Sequence, residues 1–240
     1  AEETADPVAL VDRYGTDAVR WWLLREVPRV GDADFTAARL VARANADLAN
    51  DLGNLVSRAV TLVHRYRQGR VPEPAGPGPG ESQTGESQTD EHDPLAGAGR
   101  RLAALGEQVP ERIAAALDAF DFRAATAAIW DVVEEANRYV ERAEPWHLAR
   151  AERDGDAGAG RRLDETLARL AATCAGLGRN LAPFVPGLAA RVRAACDGAS
   201  GRLPTAQPVL PRLTWPAARP DERAFRSRQR AVREVNSARE

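Results

Sequence analysis

Lysine is absent from this 240-residue sequence, and all 33 basic residues are arginine. That is the pattern of a GC-rich genome, where AT-rich lysine codons are scarce. Methionine is also absent, so residue 1 is not an initiator and the chain is expected to be processed or part of something longer. Isoleucine occurs only at Ile113 and Ile129, and alanine and leucine dominate, a helix-forming composition. The two cysteines, Cys174 and Cys196, lie 22 residues apart and form no C-x-x-C pair. This spacing argues against a zinc site and for free thiols in a reducing compartment. No run of 18 apolar residues and no signal-like N-terminal stretch occurs, so a cytoplasmic protein with no membrane partner is expected.

Charge is nearly balanced, with a net −2 and a pI of about 6.1. A chain that binds nucleic acid through its overall field is usually basic, so any basic surface here has to be local. One segment qualifies. From Leu52 to Pro72 there is no acid, while Arg58, Arg65, Arg67 and Arg70 are all present. Taken alone, such a run also fits a solvated helix end.

The periodicity is helical throughout. Asp6-Pro7 opens a first helix that Gly15 ends, and Thr16 is the expected cap of a second, with Asp17 near its positive end. In that second helix Val19, Trp22 and Leu23 form the expected apolar face, with Trp21 on a flank. Thr36 starts the longest helix, running to about Gln68. Its stripe is Leu40, Ala44, Leu48, Leu52, Leu55, Ala59 and Val63. Residues 72–93 are rich in Pro, Gly, Ser and acids, repeat Gly-Glu-Ser-Gln-Thr in tandem, and read as a flexible linker.

Helical pattern returns over 95–120, with a break expected at Pro110, and again over 121–142. A break at Glu144-Pro145-Trp146 and a Gly/Ala/Asp loop at 154–160 precede helices at 163–181 and 187–196. Residues 204–220 are proline-rich and extended, and 221–240 read as a charged, solvated helix. No strand pattern emerges. The expected fold class is all-α, a bundle of five or six main helices.

Four stretches carry a resemblance. The first, Asp6-Pro7 through Tyr14-Gly15-Thr16-Asp17 to Arg20, resembles the segment that follows the signature lysine loop of class I aminoacyl-tRNA synthetases. Within the long helix, Asn45, Leu48, Gly53, Asn54, Leu55 and Arg58 resemble the N-x-x-L-x-x-x-x-G-N-L-x-x-R pattern of the methionyl-tRNA synthetase family. Asn137, Tyr139, Pro145 and Trp146 resemble that family's N-x-Y-x-x-x-x-x-P-W. The fourth stretch, Pro208-Val209-Leu210-Pro211-Arg212-Leu213, resembles the P-L-F-P-R-L close of its bundle. Order and spacing agree over residues 6–215.

The resemblance implies a helical bundle of the class Ia synthetase anticodon-binding type. Residues 1–35 would be connective helices following a catalytic domain, 36–215 the bundle with 72–93 as linker, and 216–240 a charged tail. It implies that Asn54, Arg58, Pro145, Trp146 and His147 bind an anticodon, and that the partner is a tRNA with a CAU anticodon. Asn54 and Arg58 are one helical turn apart and share a face. An amide can read a base edge, a guanidinium can hold a phosphate, and an exposed indole can stack on a base. Taken without the resemblance, Asn54 also fits a plain surface role, Arg58 a partner for Asp51, and Trp146 a core anchor. Trp21, Trp22, Trp130 and Trp215 read as packing residues.

No His-x-Gly-His motif occurs, and a lysine loop is impossible here. No catalytic residue, metal ligand or cofactor site is therefore assigned. ATP is implied only for a full-length family enzyme, and the chain alone is expected to be inactive. The expected function is anticodon recognition as part of a methionine–tRNA ligase, with a catalytic domain in cis or in trans. A stand-alone tRNA-binding paralogue and a helical protein-interaction module remain the alternatives. The segment 1–5, Ala-Glu-Glu-Thr-Ala, departs from the family's usual loop tail, and the linker repeat departs as well.

Overall fold

The structure, a computed structural model, describes residues 6–73, 94–198 and 201–215. These form α1 (Pro7–Tyr14), α2 (Thr16–Glu26), α3 (Ala37–Ala44), a π-helical segment (Asn45–Leu52), α4 (Gly53–Arg67), α5 (Pro94–Asp118), α6 (Phe122–Ala143), α7 (Pro145–Arg153), α8 (Ala157–Asn180) and α9 (Pro186–Cys196). Among the described residues there is no sheet, only an isolated bridge between Arg70 and Arg202. The fold is all-α. Most of the linker and all of the charged tail expected at 216–240 lie outside the described residues.

The long helix begins where Thr36 Oγ1 accepts the Arg39 amide at 3.2 Å and turns without interruption to Arg67. Every residue of its expected stripe is buried: Leu40, Ala44, Leu48, Leu52, Leu55, Ala59 and Val63. Burying each large member contributes roughly 1.5–3 kcal/mol, enough to orient the helix. The π-helical turns at Asn45–Leu52 are not legible in the apolar pattern. They bring the Leu48 carbonyl to within 3.1 Å of where a Cβ on Gly53 would sit, with Val209 packed behind, so glycine suits that position.

Local capping set several boundaries differently from expectation. Gly15, at φ 83°, is the N-cap of α2, and Thr16 is already helical. Asp17 turns away from its own helix end to accept the Gly187 amide at 3.2 Å and to pair with Arg191 at 3.4 Å. On α2 the inward face is rotated: Trp21 is fully buried, whereas Leu23 is 50% exposed. Pro110 does not break α5. Its ring faces the carbonyl four residues back, at Gly106, and both residues line an open groove that leaves room for it. The 154–160 loop is shorter than expected because Asp156 caps α8 through the Ala159 amide at 3.0 Å, drawing Ala157–Gly160 into the helix. With α7 also regular, the described residues hold more helices than the five or six expected.

The core has two parts. A smaller one joins α1, α2 and α3 around Tyr14, Val19, Trp22, Leu40 and Val41. The larger one fills the bundle and includes Trp21, which packs against Trp130 at 4.8 Å between centroids with the rings tilted by 44°. An extended strap, residues 203–213, closes the bundle by hydrogen bonds to the long helix and the turn that ends it. The Leu203 amide donates to the Gly69 carbonyl at 2.8 Å, and the Leu213 amide donates to Asn45 Oδ1 at 2.8 Å.

Candidate nucleic-acid interface

The outward face of α4 is the complement of its buried stripe. Asn54, Arg58, Thr61 and Arg65 follow at helical spacing and all are exposed. Neither Asn54 nor Arg58 forms a side-chain hydrogen bond or ion pair among the described residues, so the Asp51 partnership open to Arg58 in the sequence is not made. Thr61 and Arg65 were not singled out from sequence. The period that located the apolar stripe, applied to the polar face, would have found them.

The acid-free run is less uniform than it looks in sequence. Arg67 folds back onto the bundle, donating to Glu152 at 2.9 Å and Asp164 at 2.5 Å. Burial works against its charge, but hydrogen bonds to the two carboxylates outweigh that and raise its pKa above the ordinary arginine value. Arg67 is a tie between α4, α7 and α8, and it is not part of an open cationic surface. Arg65 lies over the Tyr66 ring at 5.6 Å.

The α6–α7 corner is built by a backbone inversion. Glu144 adopts a left-handed conformation at φ 41°, ends α6, and delivers Pro145 as the first residue of α7. Proline suits that position because its fixed φ matches the helix and no amide is needed there. Pro145 is buried, while Trp146 next to it is 44% exposed and His147 is exposed. The two rings meet edge to face at 6.2 Å. Trp146 is therefore not the core anchor that its sequence neighbourhood also allowed. Of the other tryptophans, Trp21, Trp22 and Trp130 are buried as expected, and Trp215 is 42% exposed.

Two contacts tie the stretches before and after this corner to the long helix. The Asn137 amide donates to the Asp51 carbonyl at 3.3 Å, and Arg67 binds Glu152. In sequence, Asn54 and Arg58 fall between Asp51 and Arg67, and Pro145, Trp146 and His147 fall between Asn137 and Glu152. Three other asparagines, Asn45, Asn50 and Asn137, have internal duties instead. Asn45 bonds both the amide and the carbonyl of Leu213, Asn50 accepts from Arg212 at 2.7 Å, and Asn137 bridges two helices.

The comparisons with known proteins agree with this architecture. Residues 3–60 match the family of class I (M) tRNA synthetases, which sets the class of protein. Residues 94–214 match the anticodon binding domain of methionyl tRNA ligase, and the chain belongs to that family. It is 36% identical over 181 residues to a methionine–tRNA ligase of Caldanaerobacter subterraneus subsp. tengcongensis, covering 75% of this chain and 25% of that protein. It is 31% identical over 226 residues to methionine–tRNA ligase 1 of Bacillus anthracis, covering 87% of this chain and 31% of that protein. The apo crystal structure of Mycobacterium tuberculosis methionyl-tRNA synthetase superposes with a TM-score of 0.74 at 28% identity, over 89% of this chain and 42% of that one. The chain thus spans roughly a quarter to a third of the length of these curated relatives.

Proposed function

We propose that the surface carrying Asn54, Arg58 and Trp146 binds the anticodon loop of a tRNA and reads CAU, as the recognition part of a methionine–tRNA ligase whose catalytic domain is not in this chain. The observation that carries this reading is Trp146. A large indole stands 44% exposed at a corner whose neighbouring proline is buried, so its position is rigid while its ring face is free. Stacking of an unpaired base on such a ring is worth roughly 1–3 kcal/mol.

Asn54 supplies an amide with two donors and an acceptor, the set needed for a base's Watson–Crick edge. Arg58, one turn on, reaches a phosphate or caps the stacked base. His147 adds a ring donor beside the indole, and Pro145 fixes the approach of the pair. Glu144 is exposed at the same corner, so phosphate contacts fall to the α4 arginines. ATP and methionine chemistry belong to the catalytic domain, and no residue here is assigned to them. Purified chain is accordingly expected to give no methionine-dependent pyrophosphate exchange.

The test is a titration of the 240-residue chain with two stem-loops that differ only in the anticodon. A CAU loop should bind at least tenfold more tightly than an unrelated one at the same salt. Equal affinity would refute the base-reading assignment. Absence of binding to both at low salt would leave the protein-interaction alternative standing.

A further inference from the structure

We propose that Cys174 and Cys196 form a reversible dithiol–disulfide site, in which a hydroperoxide oxidises Cys196 and Cys174 closes the bridge between α8 and α9. This inference is independent of the RNA-binding reading.

The geometry comes from the α8–α9 hairpin. These helices run antiparallel, joined by the short turn at 181–185. They come very close at one point: a Cβ on Gly178 would lie 3.2 Å from the Arg193 backbone nitrogen and 2.7 Å from its Cγ. Cys174 lies one turn before Gly178 on α8, and Cys196 lies three residues after Arg193 on α9. In an antiparallel pair these steps carry both residues in the same direction, so the two side chains face each other one turn beyond the closest approach. The two thiols interact across this hairpin, and the bridge would bring their Cα atoms to the range a disulfide needs, about 4.4–6.8 Å.

The two thiols differ in surroundings. Cys174 is completely buried, while Cys196 is partly exposed and lines the open groove between α5 and α8, a space of about 800 Å³. The sulfur that a small oxidant can reach is therefore Cys196. Their mutual interaction has the same polarity. Hydrogen bonding with Cys174 lowers the Cys196 pKa and outweighs burial, whereas the same interaction and burial push Cys174 well up. The exposed thiol is the one that more readily becomes the nucleophilic thiolate.

The chemistry balances in two steps. The Cys196 thiolate attacks one peroxide oxygen, the O–O bond breaks, and hydroxide leaves, giving a Cys196 sulfenic acid. Cys174 sulfur then attacks the sulfenic sulfur, the S–O bond breaks, and the Cys174 proton leaves with the hydroxyl as water. Two thiols and one hydrogen peroxide become one disulfide and two waters. A dithiol reductant restores both thiols by exchange.

The experiment treats the reduced full chain with hydrogen peroxide, blocks free thiols, and digests with trypsin. The expected product is the peptide Leu170–Arg179 joined to Ala194–Arg202, in monomeric protein, lost again on adding dithiothreitol. Closing a loop of this length should raise Tm by roughly 5–10 °C. In Cys174→Ser, oxidation should stop at a Cys196 sulfenic acid that dimedone traps. In Cys196→Ser, Cys174 should stay reduced. Three outcomes overturn the proposal: a wild type unreactive to peroxide, a Cys196 sulfinic acid beside free Cys174, or a disulfide found only between chains.

Discussion

The indole N–H of Trp21 donates to Asp47 Oδ2 at 2.9 Å, with both residues almost wholly out of solvent. The same carboxylate lies 3.7 Å from Arg25 and 3.4 Å from Arg43. One buried acid thus joins α2 to the π-helical segment of the long helix.

Removing that acid strands the buried Trp21 indole N–H, whereas Arg43 keeps its pair with Glu26 at 2.6 Å. Asp47→Ala should lower stability by roughly 1–3 kcal/mol, the range for leaving one buried donor unsatisfied. Asp47→Asn, which still accepts from the indole, should lose less. Thermal unfolding of both variants checks this; equal and small losses would mean the tie is unimportant.

Asn45 makes two hydrogen bonds to the backbone of Leu213. Asn45→Ala should cost roughly 1–3 kcal/mol at about 0.5–1.5 kcal/mol per bond. Hydrogen exchange should quicken at the Leu213 amide while the α6 interior stays protected. Unchanged exchange there would contradict the strap's dependence on Asn45.

Asp51, an exposed residue, has a pKa above its ordinary value of 3.8, first from partial desolvation of its carboxyl and then from the charge of Asp47. Its folded form holds the proton more tightly than the unfolded form. This group's contribution therefore declines as pH rises from about the unfolded value through the raised folded value, and its ionised form is unfavourable at neutral pH. Asp51→Asn should raise Tm at pH 7, and the gain should vanish on acidifying below the window. A gain of the same size at every pH would contradict the linkage.

Salt dependence tests the role of Arg58. Each phosphate contact to single-stranded RNA contributes about 0.7 to the slope of log affinity against log salt. Arg58→Gln should flatten the slope for a CAU loop by about that amount. A change in affinity with an unaltered slope would assign Arg58 to base stacking.

The apolar stripe from Leu40 to Val63 was fully legible because a 3.6-residue period leaves one solution for which face is buried. The cap at Asp6 was legible because a short acceptor side chain precedes Pro7, whereas the same reasoning placed a cap at Thr16, where Gly15 at positive φ takes that position. The α2 face was misjudged because Trp21 and Trp22 are adjacent, and only the partners Trp130 and Asp47, distant in sequence, decide that Trp21 goes inward. Pro110 was misread because its tolerance depends on the open groove at Gly106, a tertiary feature. At the candidate site, exposure of Trp146 could not be read from P-W alone. It follows from the left-handed turn at Glu144, which buries the proline and leaves the indole outside. The internal roles of Asn45, Asn50 and Asn137 are likewise long-range, each depending on backbone far away in the chain.

The most direct test of the account is the effect of Trp146→Ala on two stem-loops. Binding of the CAU loop should weaken by roughly 1–3 kcal/mol, the loss of one stacked base. Binding of a loop with an unrelated anticodon, held by phosphate contacts, should change far less, and the thermal stability of the variant should stay near wild type because the indole is half-exposed. Equal losses for both loops, or a large drop in stability, would mean that Trp146 supports the corner and does not read the base.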